Sequence, residues 1–517
     1  MLGHKSKIVT SDVTSLTCET RSQGANFITR SGTKLKDGGQ DFYFVGTNAY
    51  WLVDAASYSG RNYRIPIFFE KAKAMGLKVV RTWAFNHGSP STPSYGSNTL
   101  VYDAREVAGL DSIIQQAGAA GVRLLLTLGN LWPAYVGPEL FLWAAGESGD
   151  VLSFYSSPKA RALYKQHITS VTSRINSLTG VAYKDDPTIM GWDVMNEPRC
   201  PGCDNPTSKA FHTSWLQEMS DHVAAAAPKQ LIMLGSEGFF GPNDPQLYYN
   251  PGAGSACEGD AWREESSISS LHVTTMHVYW RQTEGLPSQG WRRMNFEEYF
   301  AWFSIYVDLH IQGSAAMGKP ILLQEFNILS WKFSDQQRAA LFQLAFDKLA
   351  ASRSSGGALA GVMFWSAALQ GVADDGYNVY IDQQLEGGPA PSQVQAASGP
   401  DASAGRKLLQ QAEAGQQHDP ALALPLPLVQ VGLPAGSQAD PGPSRQLQQL
   451  GGGGRSLLED TLDGFRRGPW RWSCADAAAA TWKPAYEPLP TDQAAPFLSR
   501  VAGQSTLQVV VAAARQY

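Results

Sequence analysis

The 517-residue chain is short of several things, and each shortage removes a class of function. It has no excess of positive charge: 41 Lys and Arg stand against 46 Asp and Glu, for a net charge of −5, and no basic tract stands out. A nucleic-acid partner needs a concentrated positive face, so that class is set aside. Long apolar runs are missing too. None approaches the ~20 residues of a membrane-spanning helix, which argues against a membrane partner. The opening MLGHKSKIVTSDVTSLTC has no apolar stretch of the signal-peptide kind. Cysteine is scarce, five in all. Cys200 and Cys203 share a tight Pro-Gly turn and either bridge or stay reduced. No second pair follows at zinc-ligand spacing, and the nine His are scattered, so no metal is called for. The Gly-rich fingerprint of a dinucleotide-binding sheet is also absent.

What remains is ample for a folded domain. Hydrophobic residues make up 43% of the chain, and its length suits one large barrel with an appendage. The 15 Trp and 19 Tyr suit stacking on sugar faces, with core packing as the alternative for any one of them. Apolar runs mark eight strands: Asp41–Tyr50, Lys78–Trp83, Val122–Leu128, Thr188–Glu197, Gln230–Leu234, Val273–Tyr279, Ile321–Glu325 and Gly361–Trp365. Helical patterns separate them, at Tyr63–Met75, Ala104–Ala120, Ser157–Leu178, Ser208–Ala227, Phe296–Gln312 and Asp335–Ala351. Gly76 and Gly121 close the first two. Near-continuous apolar strands alternating with helices predict an α/β fold with a parallel sheet covered on both sides. Eight of them predict a TIM-type (β/α) barrel.

The barrel is expected over residues 27–384. Residues 385–495, rich in Gln, Ala, Gly, Pro and Ser, read as a low-complexity, disordered insertion near the C-terminus. A helix is owed after Trp365. Residues 496–517, ending in the helical pattern TLQVVVAAARQY, are expected to supply it.

Two strands end alike. Ile189–Met195 runs into Asn196-Glu197-Pro198, and Pro198 stops the strand because it cannot donate to a ladder. Ile321–Leu323 runs into Gln324-Glu325. In such a barrel, chemistry gathers at the C-terminal strand ends. Those positions are Asn48, Trp51, Arg81, Trp83, Asn130, Trp132, Asn196, Glu197, Glu237, His277, Tyr279, Glu325 and Trp365. Together they read as a polar site floored with aromatics. Two strand-end glutamates fit the breaking of a glycosidic bond. For either one alone, a structural salt bridge is the plain alternative.

These residues carry a resemblance. GTNAYWL (46–52), VVRTWAFN (79–86), WDVMNEPRC (192–200), SEGFFG (236–241), HVY (277–279), QEFN (324–327) and FWS (364–366) occur in order, each at a strand end. The chain resembles glycoside hydrolase family 5, and within it the plant and fungal endo-β-1,4-mannanases. The resemblance implies a secreted, cofactor-free monomer that cleaves β-mannan polysaccharides with retention of configuration. It implies Glu197 as acid/base and Glu325 as nucleophile. Glu325 would be ionised beside Arg81 and Tyr279, and the pKa of Glu197 would sit above that of Glu325. Asn196 would bind the sugar 2-hydroxyl, His277 would orient the acid/base, and Trp365 would lie under the sugar. Arg199 would lie on the leaving-group side, with Trp83 and Trp132 extending the groove. The loop after Tyr279, WRQTEGLPSQGW, departs from the family pattern. The readings left open are a cellulase or exo-β-mannosidase of the same fold, and a glycan-binding barrel without activity.

Overall fold

The computed structural model describes residues 26–132, 135–201, 203, 205–251, 258–279, 295–383 and 491–517. The expected insertion, up to residue 490, and the loop after Tyr279 lie outside the described residues.

The chain enters through three short antiparallel strands, β1 (Ile28–Ser31), β2 (Lys34–Asp37) and β3 (Gln40–Asp41). Eight parallel strands follow. They are β4 (Phe44–Asn48), β5 (Val79–Trp83), β6 (Arg123–Thr127), β7 (Ile189–Asp193), β8 (Leu231–Met233), β9 (Thr274–Tyr279), β10 (Ile321–Asn327) and β11 (Leu359–Phe364). Their order is β8-β7-β6-β5-β4-β11-β10-β9. The seam between β8 and β9 is bridged by His272 and Val273 N–H groups donating to Ile232 O at 2.9 and 3.3 Å. The result is a nearly closed (β/α)8 barrel. Every residue of β4, β5, β7, β10 and β11 is buried, which is why these strands read as apolar runs with no polar alternation.

The helices start and stop where local chemistry directs. Asn205, Asn295, Ser334 and Ser505 each form a reciprocal capping box with the residue three positions on. Gly76 and Gly121 take the left-handed conformation that ends their helices. The helix expected over Ser157–Leu178 ends at Thr172. Buried Asp111 draws the chain away there, accepting from Arg174 Nη2 at 2.6 Å and Ser177 Oγ at 2.7 Å. The strand expected over Asp41–Tyr50 divides into β3 and β4, because the chain leaves the entry sheet to join the barrel.

The entry sheet decides which end of the barrel is free. Its Ile28 and Leu35, 1% and 0% exposed, join a core cluster with Phe44, Val79, Leu125, Met190, Val273 and Leu322. The N-terminal mouth is thereby plugged with apolar side chains, and the C-terminal strand ends carry the polar ones. A last helix, Thr506–Ala514, buries Leu507, Val509, Val510 and Val511 and packs against the helices Asp335–Ser355 and Arg64–Met75. Thr506 fixes its start, with its N–H and Oγ1 on the Asp335 carboxylate at 3.1 and 2.6 Å.

Candidate active site

Arg81 is the hub. It leaves the middle of β5 wholly buried and spends its guanidinium on four side chains. Nε donates to Asp193 Oδ2 at 2.6 Å, Nη2 to Asn196 Oδ1 at 2.8 Å, and Nη1 to Asn48 Oδ1 at 3.1 Å and to Glu325 Oε1. A buried charge needs such partners, and the fork geometry of arginine meets several at once. Asn48 is fixed in turn by donating to Gln324 O at 2.8 Å.

Glu197 stands four residues beyond β7, not within it as the sequence reading had it, yet it is held as firmly as a strand residue. Its N–H donates to Gly235 O and that of Asn196 to Gly129 O, both at 2.8 Å. The chain is thus pinned to its neighbours on both sides. Glu197 has φ +50°, a conformation costly for a residue with a Cβ and concentrated at functional positions. Glu325 comes from β10, and Tyr279, at the end of β9, donates its hydroxyl to Glu325 Oε2.

The two acids meet. Glu197, His277 and Glu325 each offer one atom within 4.8 Å of the others. His277 Nδ1 lies 2.9 Å from Glu197 Oε1 and 3.6 Å from Glu325 Oε1. Trp132 Nε1 donates to Glu197 Oε2 at 2.6 Å. This trio is not read as a metal centre. The Arg81 guanidinium and the Tyr279 hydroxyl already occupy the Glu325 oxygens, so a cation would sit against a fixed positive charge.

The order of ionisation differs from the sequence expectation. Burial is the largest influence on Glu197 and pushes its carboxyl up, but His277, Arg199 and Trp132 together bring it below the ordinary value. Burial likewise pushes Glu325 up, with Glu197 adding to the push, and the pull of His277, Arg81 and Tyr279 does not fully offset it. Burial lowers His277, but the two carboxylates more than compensate and raise it. The proton expected on Glu197 alone thus belongs to a pair, since His277 Nδ1 faces Glu197 Oε1 at 2.9 Å. The two share one short contact, and its single proton can sit at either end.

The other expected residues sort by what they touch. Trp365, 9% exposed, donates Nε1 to Asp375 Oδ2 at 3.0 Å, and Tyr50 stacks on it at 5.1 Å between centroids. Trp83 is buried. It stacks on Phe85 at 5.4 Å, lies 5.3 Å from the Arg81 guanidinium and has the Trp365 ring 6.0 Å away. Trp51 is likewise core, with Nε1 on Ala367 O at 2.9 Å. The Arg199 guanidinium is taken up by Glu237 and, at 3.0 Å, by Glu258, and it lies 4.9 Å from the Trp132 ring. Asn130 accepts from Asn196 Nδ2 at 3.0 Å. Cys200 and Cys203 are joined by a disulfide just beyond Arg199. The sequence reading missed Asp193, Gln324, Asp375 and Glu258. The first two sit inside apolar strands, and their only signal was polarity where the core pattern has none.

A parallel barrel carrying a buried glutamate pair at its C-terminal strand ends belongs to the barrel-fold glycoside hydrolases. The model of the "GH family 5 beta-mannosidase-like" family matches residues 25–398, and the chain belongs to that family. It is similar to mannan endo-1,4-beta-mannosidase 2 of Oryza sativa subsp. japonica, 33% identical over 366 residues, covering 68% of this chain and 80% of that one. It is also similar to mannan endo-1,4-beta-mannosidase 4 of Solanum lycopersicum, 32% identical over 377 residues, covering 71% and 90%. Among solved structures it resembles the endo-1,4-beta-mannanase of Rhizomucor miehei, with a TM-score of 0.57 and 28% identity over 69% of this chain and 95% of that one. Among the described residues, no helix is long and apolar enough to cross a membrane.

Proposed function

We propose that this glycoside hydrolase is an endo-β-1,4-mannanase that works by double displacement with retention of configuration. The observation that carries the reading is the meeting of Glu197 and Glu325, with oxygens within 4.8 Å. Retaining enzymes hold their carboxyl groups ~5–5.5 Å apart, whereas inverting enzymes need ~6.5–9.5 Å to seat a water. The substrate class rests on the plant and fungal mannanases to which the chain is similar.

Glu325 attacks the anomeric carbon while the proton held by Glu197 and His277 passes through Glu197 to the leaving oxygen. The glycosidic bond breaks and a glycosyl-enzyme forms. Arg81 and Tyr279 steady the carboxylate before attack and receive it again when it leaves. Glu197 then takes a proton from water as that water attacks, and Glu325 is released. Asn196, oriented by Arg81 and Asn130, is placed to bind the sugar 2-hydroxyl. No step calls on a cofactor. The Cys200–Cys203 disulfide suits an oxidising, extracellular setting.

Digestion of mannan, glucomannan and cellulose by the wild type, Glu197→Ala and Glu325→Ala, with products sized, tests the reading. Internal cleavage of mannan should fall at least ~10²-fold in either variant. A preference for cellulose would point to a cellulase. Release of single mannose units from chain ends would point to an exo-β-mannosidase, and binding without reducing ends to a glycan-binding barrel.

A further inference from the structure

Three buried side chains behind the glutamate pair form a line whose direction can be read from donors and acceptors. Asp193 Oδ2 accepts from Arg81 Nε at 2.6 Å and Thr127 Oγ1 at 3.1 Å, and its Oδ1 faces Gln324 Nε2 at 2.9 Å. Gln324 Nε2 also lies 3.6 Å from Met233 Sδ, a second acceptor. Both partners of that end of the amide accept, so that end is the NH2 group. The amide oxygen therefore faces His277 Nε2, 2.8 Å away. An amide oxygen only accepts, so Nε2 must carry a hydrogen. Neutral imidazole has one N–H, which leaves the Nδ1 lone pair pointing at Glu197 Oε1, 2.9 Å away. That contact is attractive only if a proton lies in it, on the carboxyl or on the imidazole.

We propose that Asp193 and Gln324 are positioning residues that lock the His277 tautomer, making Glu197 and His277 one reservoir for the proton given to the leaving group. This rests on Glu197 being the acid/base. Once the proton moves to the glycosidic oxygen, a lone pair opposes a carboxylate. The pair then regains a proton readily from the attacking water. Of the other charges around His277, Glu325 acts the same way and Arg81 opposes it. Glu325 on β10 lies 3.6 Å from Nδ1, and Arg81 on β5 is already shared between Asp193 and Glu325. Loss of the shared proton would leave a further uncompensated negative charge in a buried site.

Two measurements decide it. In protein labelled with ¹⁵N-histidine, with His277→Gln for assignment, Nε2 of His277 should stay protonated at every pH while only Nδ1 titrates. A neutral Nδ1–H form would overturn the lock, whether or not the enzyme cleaves mannan. In Gln324→Met the imidazole is free to turn its one N–H toward Glu197 and stabilise the carboxylate. The basic limb of kcat/KM on a mannan oligosaccharide should then fall by about one pH unit or more. A uniform loss with the limb unmoved would contradict the proposal. Should Gln324→Met fail to fold, the labelled wild type still gives the answer.

Discussion

Replacing Tyr279 by Phe removes one hydroxyl and little else. The ring meets Tyr377 edge-on at 5.4 Å between centroids, a contact Phe retains. What is lost is the donor to Glu325 Oε2. A hydrogen bond to a charged group contributes about 1.5–3 kcal/mol. At 1.36 kcal/mol per pKa unit, the Glu325 pKa should rise by about 1–2 units. The sign follows from the surroundings. Burial and Glu197 already push this carboxyl up, and the hydroxyl is one of three groups, with His277 and Arg81, that pull it down. Attack needs the ionised form, so the acid limb of kcat/KM on a mannan oligosaccharide should move to higher pH by that amount. The variant should regain much of its rate on the alkaline side of the new limb. An acid limb that stays in place, or a loss equal at every pH, would refute the assignment of Tyr279 to the ionisation of Glu325.

Other consequences follow from single contacts. Trp132→Phe deletes the 2.6 Å donor to Glu197 Oε2 and should lower kcat by about 10- to 100-fold with KM little changed, measured by steady-state kinetics. His167 is wholly buried, with Nε2 on Leu128 O at 2.6 Å, and burial depresses its pKa to about 4. The unfolded chain binds this proton near pH 6.5 and the fold does not, so stability is complete above that pH and is lost as pH falls toward 4. Denaturant titrations of the wild type and His167→Gln should differ in that window by about 3 kcal/mol, the variant being flatter. We also propose that Thr506–Ala514 closes the barrel. Ending the chain at Ser505 would remove the burial of Leu507, Val509, Val510 and Val511, worth roughly 1.5–3 kcal/mol each, a sum comparable to a domain's whole stability. The shortened protein should lack a cooperative melt, and a soluble, cooperatively melting product would contradict the assignment.

Much of this was legible because the fold puts site residues in or just beyond the C-terminal parts of buried strands. Apolar runs announce the strands, and Arg81, Glu197, His277, Tyr279 and Glu325 follow each run closely enough to be named from sequence. What escaped had a physical reason in each case. Asp193 and Gln324 lie within β7 and β10, where inward-facing polar residues look like interruptions of a core. Trp51 and Trp83 share the chemistry of groove aromatics, and only three-dimensional neighbours separate packing from sugar contact. The pairing of Arg199 with Glu237 and Glu258 escaped because those partners lie 38 and 59 positions away. The ionisation order turned on His277 touching both glutamates, which no strand-end pattern states.

The covalent step can be observed directly. Incubation with an activated 2-deoxy-2-fluoro-β-mannoside, followed by proteolysis and mass spectrometry, should find the fluorosugar on the peptide containing Glu325, and Glu325→Ala should carry none. The account would be contradicted by a label on Glu197. It would be contradicted equally by an unlabelled enzyme whose first mannan product, followed by NMR, is the α-anomer.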